Sequence, residues 1–190
     1  DANPHIVASQ PKLLSYQHQE FFDHAGAGGG FLDRLGYPYC RGRIFNHTEK
    51  DLHQYDDCIQ VDWASGACFF IRSQDFHQIG GFDSMFFAHM EEIDLCWRLF
   101  NFDYKVKYTP ESQVYHVGGA TLNNMNPAKT FYNFRNSLFN LVKHVPASSL
   151  LPVILSRMLL DGVAAFKFLF SQGPSHFTAV IRAHFSFYKQ

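Results

Sequence analysis

Apolar positions are unevenly spread along this chain, and their spacing predicts the elements. After Asn3-Pro4, residues 5–9 read as a short strand, and then a long polar stretch runs over residues 10–57 with Gly26, Gly28, Gly29 and Gly30 near its middle. A connection of that length inside a compact domain is expected to be a functional loop, a lid or a locally disordered region. From Cys58 the pattern tightens: residues 59–62 and 67–72 predict two strands flanking Trp63-Ala64-Ser65-Gly66. Ser73 is placed to cap a short helix that ends at Gly80-Gly81. Met90, Ile93, Trp97 and Phe100 then recur at spacings of three and four, the stripe of an amphipathic helix whose other face carries Glu91, Asp94 and Arg98.

Residues 104–108 and 113–117 read as two short strands separated by a turn at Pro110, ending at His116 ahead of Gly118-Gly119. Residues 127–144 predict a helix. Beyond Pro146, residues 149–170 are strongly apolar yet include Pro152, Arg157, Asp161 and Lys167. A membrane span has about 20 apolar residues with few charges, so an amphipathic helix lying in a membrane interface fits this stretch better than a spanning one. Gly173-Pro174 breaks it, and an aromatic, basic helix follows over residues 175–188. The fold class is mixed α/β with a helical tail, divided as residues 1–145 and 146–190.

Charge narrows the partners. With 16 basic and 17 acidic residues the net charge is -1, so nucleic acid is not expected as a partner. Aromatic residues make up 17% of the chain, which suits a large core, a sugar-stacking surface or contact with lipid headgroups alike. Cys40, Cys58, Cys68 and Cys96 show no CxxC spacing and are expected to be reduced, buried thiols. No charged-then-apolar leader follows Asp1, and the beginning of the protein is expected to lie upstream.

The densest candidate chemistry is Glu91, Glu92 and Asp94 at a helix start, where unpaired amides and the helix dipole stabilise the ionised carboxylate that a general base requires. The competing interpretation is an ordinary first turn in which Asp94 pairs with Arg98 four residues on. His116 stands at a strand end before two glycines, as a metal ligand or as an ordinary buried histidine. Zinc hydrolysis is disfavoured by the lack of HExxH, and His89-Met90-Glu91 has no PCxxC to accompany it. Ser65 is outside any GxSxG, and the glycines form neither GxGxxG nor a P-loop. Trp63, beside Ser65, Gly66 and Ala67, is either a sugar-stacking platform or a core indole on a tight turn. Arg135-Asn136 either holds a pyrophosphate or forms the polar side of a helix.

Taken in order, Trp63-Ala64-Ser65-Gly66-Ala67-Cys68-Phe69-Phe70-Ile71-Arg72, Gly80-Gly81-Phe82-Asp83, Phe86-Phe87, Glu91-Glu92-Ile93-Asp94-Leu95-Cys96-Trp97-Arg98 and His116 resemble the second half of the family 2 glycosyltransferases of GT-A type, nearest to bacterial rhamnosyltransferase-like members. The resemblance extends over residues 1–145. It implies the acceptor-side part of a GT-A fold without its nucleotide-binding half, from an inverting enzyme of cell-wall or polysaccharide synthesis. The donor would be a nucleotide sugar and the acceptor a glycan or lipid-linked hydroxyl.

In that family the acidic motif reads Glu-Asp-x-Asp-Leu, and its second acid is the base. Here Glu92 holds that place, one methylene longer, with Glu91 as the neighbouring alternative and Asp94 completing the motif. The resemblance further implies that His116 joins a divalent Mg²⁺ or Mn²⁺ and that the Gly66-Ala67 turn lines the acceptor site. The family's DxD is absent from these residues, so the segment alone is expected to be inactive. Cytoplasmic placement at the inner face of the membrane accompanies the expected tail. The rival expectation is a non-catalytic module that binds a membrane surface or a glycan.

Overall fold

The computed structural model describes residues 3–118 and 126–190, which form two compact units. The strands are β1 (Ile6–Ser15), β2 (Gly30–Leu32), β3 (Pro38–Cys40), β4 (Arg43–Ile44), β5 (His47–Thr48), β6 (Gln60–Val61), β7 (Phe70–Ile71) and β8 (Lys105–His116). The helices are α1 (Ser73–Gln78), α2 (Glu91–Asn101), α3 (Pro127–His144), α4 (Ala147–Ser171) and α5 (Pro174–Tyr188). The first unit holds every strand, α1 and α2 from Glu92 onward; the second holds residues 34–36, 84–91 and the three C-terminal helices. In the second unit α3 packs with α4 and α5.

In the first unit a four-stranded sheet has the order β6-β8-β1-β7, with a parallel central pair and an antiparallel strand at each edge. Residues 62–69 therefore cross the sheet from β6 on one edge to β7 on the other. Three sequence expectations change here. β1 does not stop at residue 9 but continues to Ser15, through Gln10 and Lys12, which are wholly buried. The two strands expected at 104–108 and 113–117 are one: Pro110 makes no turn but sits in a bulge, since Pro11 pairs with Thr109 and the next residue, Lys12, with Gln113. Ser73 is the first residue of α1 and caps nothing; Arg72 precedes it without a side-chain cap.

The stretch expected to be a loop or lid is ordered and packed, with two small ladders, β2 with β3 and β4 with β5. Gly26, Gly29 and Gly30 are explained by close approach to residues 61–65. A Cβ on Gly26, whose φ is +98°, would stand 2.5 Å from Ser65 Cβ, and one on Gly30 would stand 2.3 Å from Trp63 Cε2. Gln10 fastens the same contact: its amide donates to Gly26 O at 3.1 Å and its carbonyl oxygen accepts from Ser65 N at 2.7 Å.

Lys12 is held by Asp51 at 2.8 Å and by Asp56. Burial pulls the Lys12 ammonium down, but the two carboxylates outweigh it and the net shift is above a lysine's ordinary 10.5. Hydrogen bonds from Lys12 and His53 hold Asp56 below its ordinary 3.8. The lysine's contribution is complete below 10.5 and is lost as pH rises through the raised value; that of Asp56 is present above 3.8 and is lost as pH falls through the lowered one. Lys12→Met is therefore expected to cost about 3 kcal/mol at neutral pH. Urea unfolding checks this, and the gap between variant and wild type should narrow at both pH extremes.

The second unit matches the expected helices closely. Asn126 caps α3, its side chain accepting from Ala128 N at 2.9 Å, and Pro127 occupies the first turn, where a missing N–H is tolerated. Gly173, with φ +96°, separates α4 from α5. Among the described residues no helix is long and apolar enough to cross a membrane. All four cysteines are free; Cys40 and Cys96 are buried as expected, Cys68 is half-buried, and Cys58 is exposed.

Candidate active site

In the first unit the structure brings the Trp63–Ala67 stretch against α2. Ala64 N–H points at Cys96 Sγ at 3.5 Å, and Trp63, Ala64, Ser65 and Cys96 are all buried. Burial pushes the Cys96 thiol up to about 12; the Ala64 amide offsets this in part, and the nearby Glu92 and Asp94 charges add to it. Cys96 is thus a packing thiol without nucleophilic character. Gly66 lies at the exposed tip of this stretch, where an added Cβ would meet nothing within 4 Å, and Ala67 beside it is half-buried.

Trp63 is not an open stacking platform. It is 6% exposed, the position of Gly30 is filled by its ring, and its Nε1 donates to Phe31 O at 2.9 Å. Asp94 is likewise enclosed. Its carboxylate is 0% exposed and accepts from Arg98 Nε at 2.9 Å, while Arg98 donates onward to Ile79 O at 2.6 Å and Gly81 O at 2.7 Å. The expected i, i+4 pair is present, and it braces α2 against the turn after α1. The buried face of α2 is Ile93, Cys96 and Leu99 with Asp94 and Leu95, and Trp97 and Phe100 are only half-buried. Glu92 is half-buried in the opening turn of α2.

His116 ends β8 beside Ser15, at the C-terminal edge of the parallel pair, where α/β sheets place ligands. Its Nδ1 lies 3.1 Å from Asp23 Oδ1, and Asp23 is buried and also accepts from Ala25 N at 2.7 Å. A carboxylate on one ring nitrogen fixes the imidazole and directs the other outward, the arrangement of a metal-ligating histidine. That makes His116 a single candidate ligand for a divalent cation. Among the described residues the one group of three ligand atoms close enough to share an ion is Asp51, His53 and Asp56, and both its carboxylates are already bonded to Lys12. His116 is in no such group, and Gly119, expected next to it, is outside the described residues.

In the second unit, Arg135 and Asn136 on α3 grip the loop that leads into α2. Asn136 is buried, and its Nδ2 donates to Phe86 O at 2.9 Å, Ala88 O at 2.8 Å and His89 O at 2.7 Å; Asn140 Nδ2 reaches Met90 O at 3.3 Å. This clamp is needed because Phe87, His89 and Met90 have φ of +61°, +66° and +71°, conformations that side chains other than glycine rarely adopt. Arg135 donates to Met85 O and Phe86 O at 3.3 Å each and lies against the rings of Phe131, Tyr132 and Phe139. Burial lowers its pKa. The guanidinium expected to bind pyrophosphate is thus engaged by carbonyls and aromatic faces. Glu91 follows the clamped loop, and its Oε2 is buried with no hydrogen-bond partner among the described residues. Gln10, Asp23 and Asn136 were not singled out from sequence for these duties.

Comparison with known proteins gives the chemistry a context. No family model matches the chain. It is 41% identical over 56 residues to an N-acetylglucosaminyl-diphospho-decaprenol L-rhamnosyltransferase of Mycobacterium tuberculosis, covering 30% of this chain and 18% of that protein. The chain is similar to glycosyltransferases. Rhamnosyltransferase WbbL of Escherichia coli is 37% identical over 62 residues, 33% of this chain and 23% of its own length. A pre-mycofactocin glycosyltransferase of M. tuberculosis is 30% identical over 90 residues, 45% of this chain and 19% of its own. The matches span about a fifth of each of these relatives.

Proposed function

We propose that this chain is the acceptor side of an inverting glycosyltransferase of GT-A type, family 2, with Glu92 as the base. The observation that carries the reading is the packing of the Trp63–Ala67 stretch on α2, which brings an open glycine tip and a helix-start carboxylate into the same unit. The named glycosyltransferase relatives support it.

In this reading Glu92 takes the proton from an acceptor hydroxyl as that oxygen attacks the anomeric carbon in line, and the carboxylate is kept ionised by the α2 N-terminus. Glu91 is the neighbouring candidate. Ser65, Gly66 and Ala67 line the acceptor through their backbone, Asp94 and Arg98 keep α2 in place, and Asn136 with Arg135 fixes the loop entering it. Mg²⁺ or Mn²⁺ would supply positive charge for the departing diphosphate. His116, oriented by Asp23, is the ligand this chain offers it. The donor is a nucleotide sugar, whose site is built by residues outside this segment, and the acceptor is a glycan or lipid-linked hydroxyl.

Gly66→Val tests the acceptor contact. The open space at Gly66 means that the variant should fold with an unchanged melting temperature. In a longer protein able to turn over, it should raise the acceptor KM about tenfold or more while leaving the donor KM alone. An unchanged acceptor KM removes Gly66 from the site.

A further inference from the structure

We propose that Phe87 and Tyr132, in the second unit, form the stacking platform for an acceptor sugar ring, with His89 as the hydrogen-bonding group beside it. The class of ligand rests on the glycosyl-transfer reading; the platform itself rests on backbone strain and exposure. Phe87 is the central residue of a γ-turn, closed by Ala88 N donating to Phe86 O at 2.7 Å, and its φ of +61° marks the rare, strained form of that turn. The strain is held in place from α3, because Phe86 O also accepts from Asn136 Nδ2 at 2.9 Å and from Arg135 at 3.3 Å. This turn does not feed the core, since the side chain it carries is 77% exposed. Strain kept so that an aromatic ring faces outward points to a ligand for that ring.

The ring is not loose. Its centroid lies 5.3 Å from that of Tyr132, and the Arg135 guanidinium lies 5.1 Å from the Tyr132 centroid. Two adjoining rings anchored in this way present a firm apolar surface, complementary to the C–H face of a pyranose. Polar groups border it. Lys129 stands one turn before Tyr132 on the same side of α3, and the His89 ring is close enough to feel its charge. His89 Nε2 is shielded from solvent and has no hydrogen-bond partner among the described residues. Burial, with the Lys129 charge, holds the imidazole below its ordinary 6.5, so at neutral pH it is uncharged and can share one hydrogen bond with a sugar hydroxyl. A carbohydrate is apolar on its ring face and hydroxylated at its rim, which satisfies both features; a hydrocarbon chain would leave the nitrogen unmet. Phe87 stands four residues before Glu91 in the same unit, so the platform belongs to the loop that leads into the acidic motif.

Saturation-transfer NMR titration of the 190-residue chain with the methyl glycosides of glucose, galactose, rhamnose and N-acetylglucosamine tests it. At least one should bind, with saturation strongest on its ring C–H protons. Phe87→Ala should raise the Kd of that glycoside about tenfold. His89→Phe, which fills the space without a ring nitrogen, should raise it about fivefold. Phe87→Gly should lose binding as Phe87→Ala does, while its melting temperature stays within about two degrees of wild type, because relief of the left-handed backbone offsets the lost ring contact. A wild-type chain that binds none of the four glycosides overturns the proposal, and so does a Phe87→Ala chain that binds as tightly as wild type. Failure of the glycosyl-transfer reading looks different: Glu92→Gln would keep near-normal turnover in a longer protein, whereas sugar binding by the 190-residue chain does not pass through the base.

Discussion

Glu92→Gln is expected to lower the turnover of a longer protein containing this segment by about 10²–10⁴-fold, the usual range for loss of a general base, with donor affinity unchanged. The amide is nearly isosteric with the carboxylate and keeps the half-buried opening turn of α2 filled, so the effect should appear in chemistry and not in folding. An amide cannot accept the acceptor proton. Steady-state kinetics with a separate measurement of donor binding checks both halves of the expectation. Near-normal turnover excludes Glu92, and Glu91→Gln is then the informative variant, since the two side chains leave adjacent positions at the start of one helix.

Arg98→Leu is expected to destabilise the first unit by about 3–5 kcal/mol, the cost of leaving a buried charge without its partner. Asp94 is wholly buried, and Arg98 is both its counter-ion and the donor to Ile79 O and Gly81 O. Replacing Asp94 and Arg98 together by leucine should recover a good part of the loss, because no stranded charge then remains. Urea unfolding of the two single variants and the double variant gives the coupling directly. A single-variant cost under about 1 kcal/mol would make this a surface-type pair and remove the brace from the account.

What sequence could supply was local. α3 runs over the residues expected because its signals are adjacent to it: Asn126 as cap, Pro127 in the first turn and Pro146 beyond the end. The break at Gly173-Pro174 is local in the same sense. Failures came where a polar residue is satisfied from far along the chain. Gln10 and Lys12 read as loop because their partners, Ser65, Asp51 and Asp56, are 39 to 55 residues away. Arg157 and Asp161, read only as charges interrupting an apolar stretch, likewise find their partners elsewhere, on α3, on α5 and at Leu35. Pro110 signalled a turn, but β8 absorbs it in a bulge and keeps its pairing with β1.

The candidate site was legible as a set of motifs and less so as a set of roles. Trp63 and Arg135 each carry hydrogen bonds within the fold that the motif pattern did not announce, whereas the bond between Asp94 and Arg98 was readable from their spacing. The Asn136 clamp left no trace in the pattern, since its acceptors are backbone carbonyls that any residue would provide.

The central claim, an acceptor side whose donor site is built elsewhere, is tested most directly by calorimetric titration of uridine and deoxythymidine diphosphate sugars with Mn²⁺ into the 190-residue chain and into a longer polypeptide that adds a nucleotide-binding half. The account predicts saturable heat with the longer polypeptide and none with the 190-residue chain. Saturable binding of a nucleotide sugar by the 190-residue chain alone would contradict it.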